Sequence, residues 1–207
     1  MKTLAVCLAL GVLPAFGGSR DVPVRLYTSF QQTPPDAVLD SMQEELANIL
    51  GPLGVVFEWR SLALATGNEV SAELVVIHFK GRCDALNLEP VDGIPGPLGW
   101  THMSDGEILP FTDVNCDGIR LFMQRELLAL PATERQAAYG RALARVLAHE
   151  LYHIFARTTR HASWGIAKPA YSARDLLAPK LQFERKEGAL LRAHQLHLDE
   201  VNGADGQ

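Results

Sequence analysis

The sequence predicts an α+β fold with a mixed, twisted β-sheet, and three features of the chain support this class. The elements read as strand, helix, strand, strand along the first part of the domain. One of these strands, Leu74 to Phe79, is almost continuously apolar and is therefore expected at the centre of the sheet. Beyond Pro131 the composition shifts to Ala, Arg, Leu and Glu, which favour a long helix.

The first two elements are a strand and a helix expected to back the sheet. Val22 to Phe30 alternates apolar and polar residues, which predicts a strand. Thr33 is a candidate N-cap, with Pro34 at the first helical position and Asp36 completing the acidic first turn. Apolar residues then recur at helical spacing as far as Gly51, where the helix is expected to end.

The middle of the chain is predicted to form short strands joined by turns. Val55 to Leu62 predicts the second strand. Leu98 to Met103 and Glu107 to Thr112 flank Ser104-Asp105-Gly106, and Asp-Gly between two extended runs indicates a hairpin. Ile119 to Met123 follows a second Asp-Gly turn signal and is expected to form one further short strand.

The C-terminal part is predicted to be helical. Ala132 to Phe155 should form one long helix with an apolar stripe. Ser172 and Asp175 resemble a capping box that opens a short helix. Leu181 to Leu198 should form a final amphipathic helix, and residues 201–207 a frayed tail. We find no internal repeat and no linker, so residues 20–200 are predicted to form a single domain.

Composition and charge exclude several classes of protein. The 207 residues are 47% hydrophobic and 21% charged, as in ordinary globular proteins and unlike disordered or collagen-like chains. Lys and Arg number 19 against 24 acidic residues, and the net charge is −5. A mildly acidic chain without a basic cluster is a poor ligand for nucleic acid or anionic membranes. We therefore expect no nucleic-acid partner.

The N-terminal segment has the pattern of a secretory signal peptide. Lys2 supplies a positive charge, and Leu4 to Phe16 is an apolar run shorter than the roughly 20 residues that span a bilayer. Ala15-Phe16-Gly17 places small residues at the positions of a cleavage site. Residues 1–19 are predicted to be removed on export, which leaves a secreted or periplasmic protein without a membrane span. A short N-terminal anchor is the alternative.

Two cysteines, Cys83 and Cys116, remain after removal of that segment. An even number of cysteines in an exported chain favours a disulfide bond between them. The alternative is that both bind a metal, although they lack C-x-x-C spacing.

The predicted long helix contains His149-Glu150-Leu151-Tyr152-His153, an H-E-x-x-H motif. Residues four apart lie one turn apart on the same helix face, so both imidazoles can reach one ion. Zinc accepts imidazole nitrogen, and Glu150 stands where a general base can activate a zinc-bound water. The alternative is an ordinary helix that carries two histidines and no metal.

A catalytic zinc site requires a third protein ligand and an open position for water. His161 is the next histidine along the chain, and the β-branched pair Thr158-Thr159 before it favours an end to the helix. Gly165 then allows a sharp return of the chain. The rivals for the third ligand are Glu187, Asp175, His78 and His102.

The segment from His149 to His161, with Ser163-Trp164-Gly165-Ile166-Ala167 after it, resembles a lengthened metzincin signature. It is similar to small exported bacterial proteins predicted to be zinc peptidases, in which a third histidine follows a longer spacer and precedes a G-I-M-like turn. A weaker similarity extends from Leu98 through Cys116.

Three positions depart from the metzincin pattern. The family's third histidine would stand at Thr159, its helix-ending glycine at Ala156 and the methionine of its turn at Ala167. That methionine packs beneath the metal and is not a ligand, so its loss bears more on family membership than on the chemistry.

The resemblance implies a zincin-like fold with a long active-site helix and a small C-terminal helical part. It implies a secreted zinc metallopeptidase, an endopeptidase, in which His149, His153 and His161 bind one zinc ion and Glu150 is the base. It also places Tyr171 where some metzincins have a tyrosine that assists the metal as a fifth ligand or in the transition state. An aromatic side chain that fills the core is the alternative for Tyr171.

The expected partner is a peptide or protein substrate, bound by a monomer. Leu98 to Met103 is the candidate sheet edge for an extended peptide, with Trp100 lining a subsite; a strand in an ordinary hairpin is the alternative. Two other functions remain consistent with the sequence: a zinc-containing secreted binding protein without turnover, and a zinc hydrolase of non-peptide amides or esters.

Overall fold

The computed structural model describes residues 22–86, 88 and 96–204, with side chains up to residue 200. The predicted signal peptide, residues 1–19, lies outside the described residues. Within them the α+β prediction is confirmed, because a five-stranded mixed sheet packs against several helices. The strands are β1 (Val24–Phe30), β2 (Phe57–Ser61), β3 (Leu74–Lys80), β4 (Gly99–Ser104) and β5 (Glu107–Asn115).

The order of strands across the sheet is β2-β1-β3-β5-β4. Neighbours from β2 to β5 are parallel, and β4 pairs antiparallel with β5. The apolar strand β3 is therefore central, as predicted, and β4 is an edge strand. The predicted hairpin is also confirmed: Asp105 and Gly106 both have positive φ, 51° and 83°, which suits a tight two-residue turn.

The helices are α1 (Asp36–Leu50), α2 (Cys116–Ala129), α3 (Ala132–Phe155), α4 (Ala173–Leu177) and α5 (Arg185–Ala204). Helix α3 has the predicted bounds, and its interior packs closely against α1. A Cβ at Gly140 would lie only 2.5 Å from the carbonyl oxygen of Val38, so glycine is needed where the two helices meet. The core-facing side chains of β3, Val75, Ile77 and Phe79, are buried in the same cluster as these helices.

Among the residues that the structure describes, Arg145 is the largest fully buried side chain, and it joins three helices. Its Nε donates to Glu45 Oε1 on α1 at 2.7 Å, and its Nη1 donates to the carbonyls of Asp175 and Leu176 at 2.9 and 3.1 Å. A buried guanidinium needs such partners, because an unpaired buried charge is strongly destabilising. This network fixes α4, and the chain leading into it, against the long helix α3.

One predicted element has the wrong type. Ile119 to Met123, expected to form a strand, lies within helix α2. The side chain of Asn115 accepts a hydrogen bond from the Gly118 N–H at 2.9 Å and caps this helix. Asp117-Gly118 therefore belongs to the first helical turn and not to a reverse turn.

Several predicted boundaries also differ from the structure. Thr33 is not an N-cap, because α1 begins at Asp36 after an extended Pro35. A residue before proline is pushed out of the helical region, so Pro34, which precedes Pro35, cannot start the helix. At the other end α1 stops before Gly51 as predicted, but the chain continues through a 3₁₀ turn, and Gly54 is the residue with positive φ, 89°.

The C-terminal helix begins and ends later than predicted. Helix α5 starts at Arg185 instead of Leu181 and continues to Ala204, beyond Val201, where a tail was expected. The capping box at the start of α4 is confirmed, with reciprocal hydrogen bonds between Ser172 and Asp175. Burial raises the pKa of Asp175, but hydrogen bonds from Lys168 and Ser172 outweigh it and hold that pKa at about 2.

Cys83 and Cys116 form a disulfide bond, with Cα atoms 4.9 Å apart. It ties the segment after β3 to the first residue of α2, and both cysteines are buried. No helix in the described part of the chain is long and apolar enough to cross a membrane.

Candidate metal and active site

Helix α3 brings the two histidines of the H-E-x-x-H motif together near its C-terminal end. His149 and His153 are both 8% exposed, and their Nε2 atoms lie 3.0 Å apart. The four-residue spacing accounts for this proximity, because it places both rings on one face of the helix.

The third histidine approaches because the helix ends in a tight reversal. Arg157 has a positive φ of 44°, and the Thr158 N–H donates to the carbonyl of His153 at 3.2 Å. The Arg157 N–H donates to the carbonyl of Ile154, which completes a Schellman motif. The residue with a left-handed backbone conformation is Arg157. The metzincin pattern has its helix-ending glycine one position earlier, at the position of Ala156.

After this reversal the ring of His161 lies 5.2 Å from that of His149 and 4.9 Å from that of His153, centroid to centroid. One ligand nitrogen from each histidine can be chosen so that all three lie within 4.8 Å of one another. Two of the histidines are buried and His161 is exposed. The three therefore form a cluster that can hold a metal ion and remains open on one side.

The tautomers of the two buried histidines provide a test of whether a metal fits. His149 Nδ1 lies 2.8 Å from the carbonyl oxygen of Ile166, and His153 Nδ1 lies 2.7 Å from that of Thr158. A carbonyl oxygen only accepts hydrogen bonds, so each Nδ1 carries the proton. In the neutral rings both Nε2 atoms then present lone pairs to each other.

Two lone pairs at this separation repel unless a cation lies between them. Tetrahedral zinc holds imidazole nitrogens at about 2.0–2.1 Å, which places two such nitrogens about 3.3 Å apart. The Nε2 atoms of His149 and His153 therefore fit two ligand positions of a zinc ion with a small adjustment. Backbone carbonyls that orient the far nitrogen of each ring are also the usual outer partners of zinc-binding histidines.

Burial keeps these imidazoles neutral and ready to bind a metal. It lowers the pKa of His149 to about 4, against the opposing effect of the hydrogen bond to Ile166. Burial likewise lowers the pKa of His153. Metal binding requires neutral imidazole, so both rings are in the correct state at neutral pH.

Glu150 lies beside the histidine cluster, against the edge strand β4. Thr101 Oγ1 donates to Glu150 Oε2 at 2.8 Å. Burial raises the pKa of Glu150 to about 7, and the hydrogen bonds from Thr101 oppose that rise. In the metal-free protein this carboxyl group is therefore poised to take up and release a proton near neutral pH.

A cavity of about 500 Å³ opens onto these residues. Its walls come from β4, from α3 and from the chain before α4, and its lining includes Trp100, Glu150, His161 and Tyr171. The candidate ligands and the candidate base thus face one space large enough for part of a substrate.

Tyr171 lies in this cavity wall, but its hydroxyl group points to the backbone. It donates to the carbonyl of Ile166, the same carbonyl that orients His149. Burial raises the pKa of Tyr171, so the phenol stays protonated. The contact is that of a residue supporting a histidine; the predicted role as a metal ligand or in the transition state stays a prediction.

The rivals for the third ligand lie elsewhere. His78 contacts Ser29 at 2.7 Å, and His102 contacts Asp113 at 2.8 Å. Asp175 is held by Lys168 and Ser172 at the start of α4. Glu187 is buried on α5. Among the described residues, only the three histidines form a group of three or more potential metal ligands.

Sequence reasoning missed three contributions to the site: the carbonyls of Ile166 and Thr158 and the hydroxyl of Thr101. Backbone carbonyls have no signature in the sequence. Thr101 lies within Leu98 to Met103, the predicted edge strand, but nothing in the sequence marks its hydroxyl group as a partner of Glu150.

The chain matches no family model, and no curated protein is significantly similar to it. The geometry of the site is therefore the basis for inferring its function.

Proposed function

We propose that this protein is a zinc-dependent hydrolase, specifically an endopeptidase, with a zincin-like fold. One observation carries the proposal: the converging Nε2 lone pairs of His149 and His153, with His161 nearby and Glu150 in the same cavity. A structural zinc is normally enclosed by four protein ligands, whereas three ligands and an open side are typical of catalytic sites.

The three histidines would hold one zinc ion, which lowers the pKa of a bound water and polarises a carbonyl group. The buried carboxylate of Glu150 would accept the proton released during attack on the scissile bond and pass it to the leaving amine. The protonated Tyr171 and the carbonyl of Ile166 would keep His149 in the tautomer that leaves Nε2 free.

The edge strand supports a peptide as the substrate. Strand β4 pairs only with β5 in the described sheet, so its other edge offers backbone donors and acceptors to an extended chain. Residues of β4 also line the cavity that contains Glu150. A peptide laid along β4 would therefore pass its backbone in front of the candidate base.

We also propose that the protein is exported as a monomer to the periplasm or beyond the cell after loss of residues 1–19. The disulfide bond between Cys83 and Cys116 is compatible with an oxidising compartment. N-terminal sequencing and intact-mass analysis of exported protein test this; a retained Met1 or two free thiols would contradict it.

The direct test is digestion of an unfolded protein by the purified protein, zinc-loaded or zinc-stripped. We expect internal fragments only with zinc, recovered when zinc is added back. A parallel panel of esters and non-peptide amides tests the nearest alternative. Cleavage confined to that panel would make the protein a different zinc hydrolase, and zinc binding without any hydrolysis would make it a binding protein.

A further inference from the structure

The hydroxyl group of Thr101 contacts Glu150 twice. Thr101 Oγ1 lies 2.8 Å from the carboxylate atom Oε2 and 3.2 Å from the backbone carbonyl oxygen of the same residue. Thr101 is on the edge strand β4, and Glu150 is on helix α3, so the contact joins the two elements that border the cavity.

The backbone of β4 also closes around this carboxylate. Gly99 lies two residues before Thr101 on the same face of the strand. A Cβ at Gly99 would be 3.0 Å from Glu150 Oε1, a separation tighter than ordinary side-chain contacts. The glycine thus allows the strand to approach, and the hydroxyl holds one oxygen of the carboxylate.

The Glu150 carboxylate keeps room for further hydrogen bonds. Thr101 donates to it from its hydroxyl group and from its backbone N–H, and Glu150 lines the cavity. An ionised carboxylate has about four lone-pair sites on its two oxygens, so these contacts direct Glu150 and leave sites for the reacting groups.

We propose that Thr101 is a positioning residue, which fixes the orientation of the Glu150 carboxylate beside the histidine cluster. This role rests on the proposed hydrolase function. The second contact, between Thr101 Oγ1 and the backbone carbonyl oxygen of Glu150, holds the threonine side chain itself in place.

The test compares Thr101→Val, which keeps the shape but removes the hydroxyl, with Thr101→Ser, which keeps the hydroxyl. Thr101→Val should lower kcat by about 10- to 100-fold with KM near wild type, because small misplacements of catalytic groups have effects of this size. Thr101→Ser should restore most of the rate. Zinc content should stay equal in all three proteins, since Thr101 contacts no histidine of the cluster.

Thr112→Val is the matched control. Thr112 pairs with Thr101 across the two strands, and its hydroxyl group donates to the carbonyl of Trp100 at 3.0 Å instead of to Glu150. This change removes a comparable hydrogen bond from the same hairpin and should leave kcat near wild type. In the Glu150→Gln background, Thr101→Val should have little further effect, because the residue through which it acts is already disabled.

Crystal structures of metal-free wild type and Thr101→Val provide a readout that needs no activity. Glu150 should have one side-chain conformation in the wild type and a displaced or multiple one in Thr101→Val. A wild-type kcat in Thr101→Val, or an equal loss in Thr112→Val, would overturn the proposal. If the wild-type protein hydrolyses nothing, the hydrolase function fails, and an unmoved Glu150 in Thr101→Val would separately refute its positioning by Thr101.

Discussion

Zinc should stabilise the folded protein strongly, and loss of one histidine should remove most of this effect. The perturbation is His161→Ala, measured by thermal unfolding with and without added zinc. His149 and His153 already face each other with unshared lone pairs 3.0 Å apart. The unfolded chain has no such site, so zinc binding adds directly to the free energy of unfolding.

The size of the effect follows from mass action. Free zinc at about 1,000 times its Kd adds about 4 kcal/mol of stability. For a domain of this size each kcal/mol raises Tm by about 2–4 °C, so wild type should gain about 8–16 °C. If losing His161 weakens binding by about 100-fold, the gain falls to about 1.4 kcal/mol, or about 3–6 °C.

Two matched variants complete this experiment. His197 is exposed on α5, away from the cluster, and His197→Ala should keep the full zinc shift. Glu187→Ala tests the rival carboxylate ligand and should also keep the full zinc-induced shift in Tm, unless the loss of this buried side chain makes the variant unstable without zinc. An undiminished shift in His161→Ala, together with a lost shift in Glu187→Ala, would refute the assignment of His161 as third ligand.

Three further predictions concern residues that stabilise the fold around the site. Gly165→Ala should lower the free energy of unfolding by about 2–3 kcal/mol, because φ is 70° there and a Cβ would collide with the carbonyl oxygen of Gln182. Gly165→Ala should also weaken zinc binding, because the next residue is Ile166, whose carbonyl oxygen orients His149. Replacing Cys83 and Cys116 by serine should cost about 3–4 kcal/mol by the chain-entropy estimate, measured by urea unfolding. The pKa of Asp175 is held at about 2 in the folded state, below its ordinary value of about 3.9. The contribution of the Asp175 carboxylate to the free energy of unfolding is therefore present above about pH 4 and lost as the pH falls towards 2. Asp175→Asn should flatten the dependence of stability on pH in this range.

Each of these has a control within the chain. Gly106 also has positive φ, 83°, but open space where its Cβ would lie, so Gly106→Ala should cost less than Gly165→Ala. Reduced wild type should unfold like the cysteine variant; equal stability with and without reductant would contradict the disulfide's contribution. Asp105→Asn, in the exposed hairpin turn, should leave the acid dependence of stability unchanged. If Asp175→Asn showed the same acid dependence of stability as the wild type, that result would contradict the role given to Asp175.

The elements that could be predicted from the sequence have a strong periodic signal. Helix α3 is long and continuously patterned, and the hairpin between β4 and β5 has its Asp-Gly turn. Ile119 to Met123 is predicted as a strand because Asp117-Gly118 before it has the pattern of a turn, whereas both segments lie within helix α2. A better signal was present: the helical spacing of Ile119, Met123 and Leu127, which are all buried, behind the capping residue Asn115.

The site also has some features that the sequence predicts and others that it does not. The four-residue spacing of His149 and His153 follows from helix geometry alone. The approach of His161 depends on a left-handed Arg157, which sequence reasoning does not anticipate, because glycine is preferred at such a position. The carbonyls that set the histidine tautomers belong to the loops after the helix, and their directions arise only from tertiary packing.

The central claim is that Glu150 acts as the base of a zinc hydrolase, and Glu150→Gln tests it most directly. Glutamine keeps the size of the side chain and its hydrogen bond to Thr101 but cannot accept the proton. Zinc content should match the wild type, and hydrolysis of an unfolded protein at equal zinc occupancy should fall by about 10²- to 10⁴-fold. Equal rates in the two proteins, or no hydrolysis by fully zinc-loaded wild type across a broad panel of substrates, would contradict the account.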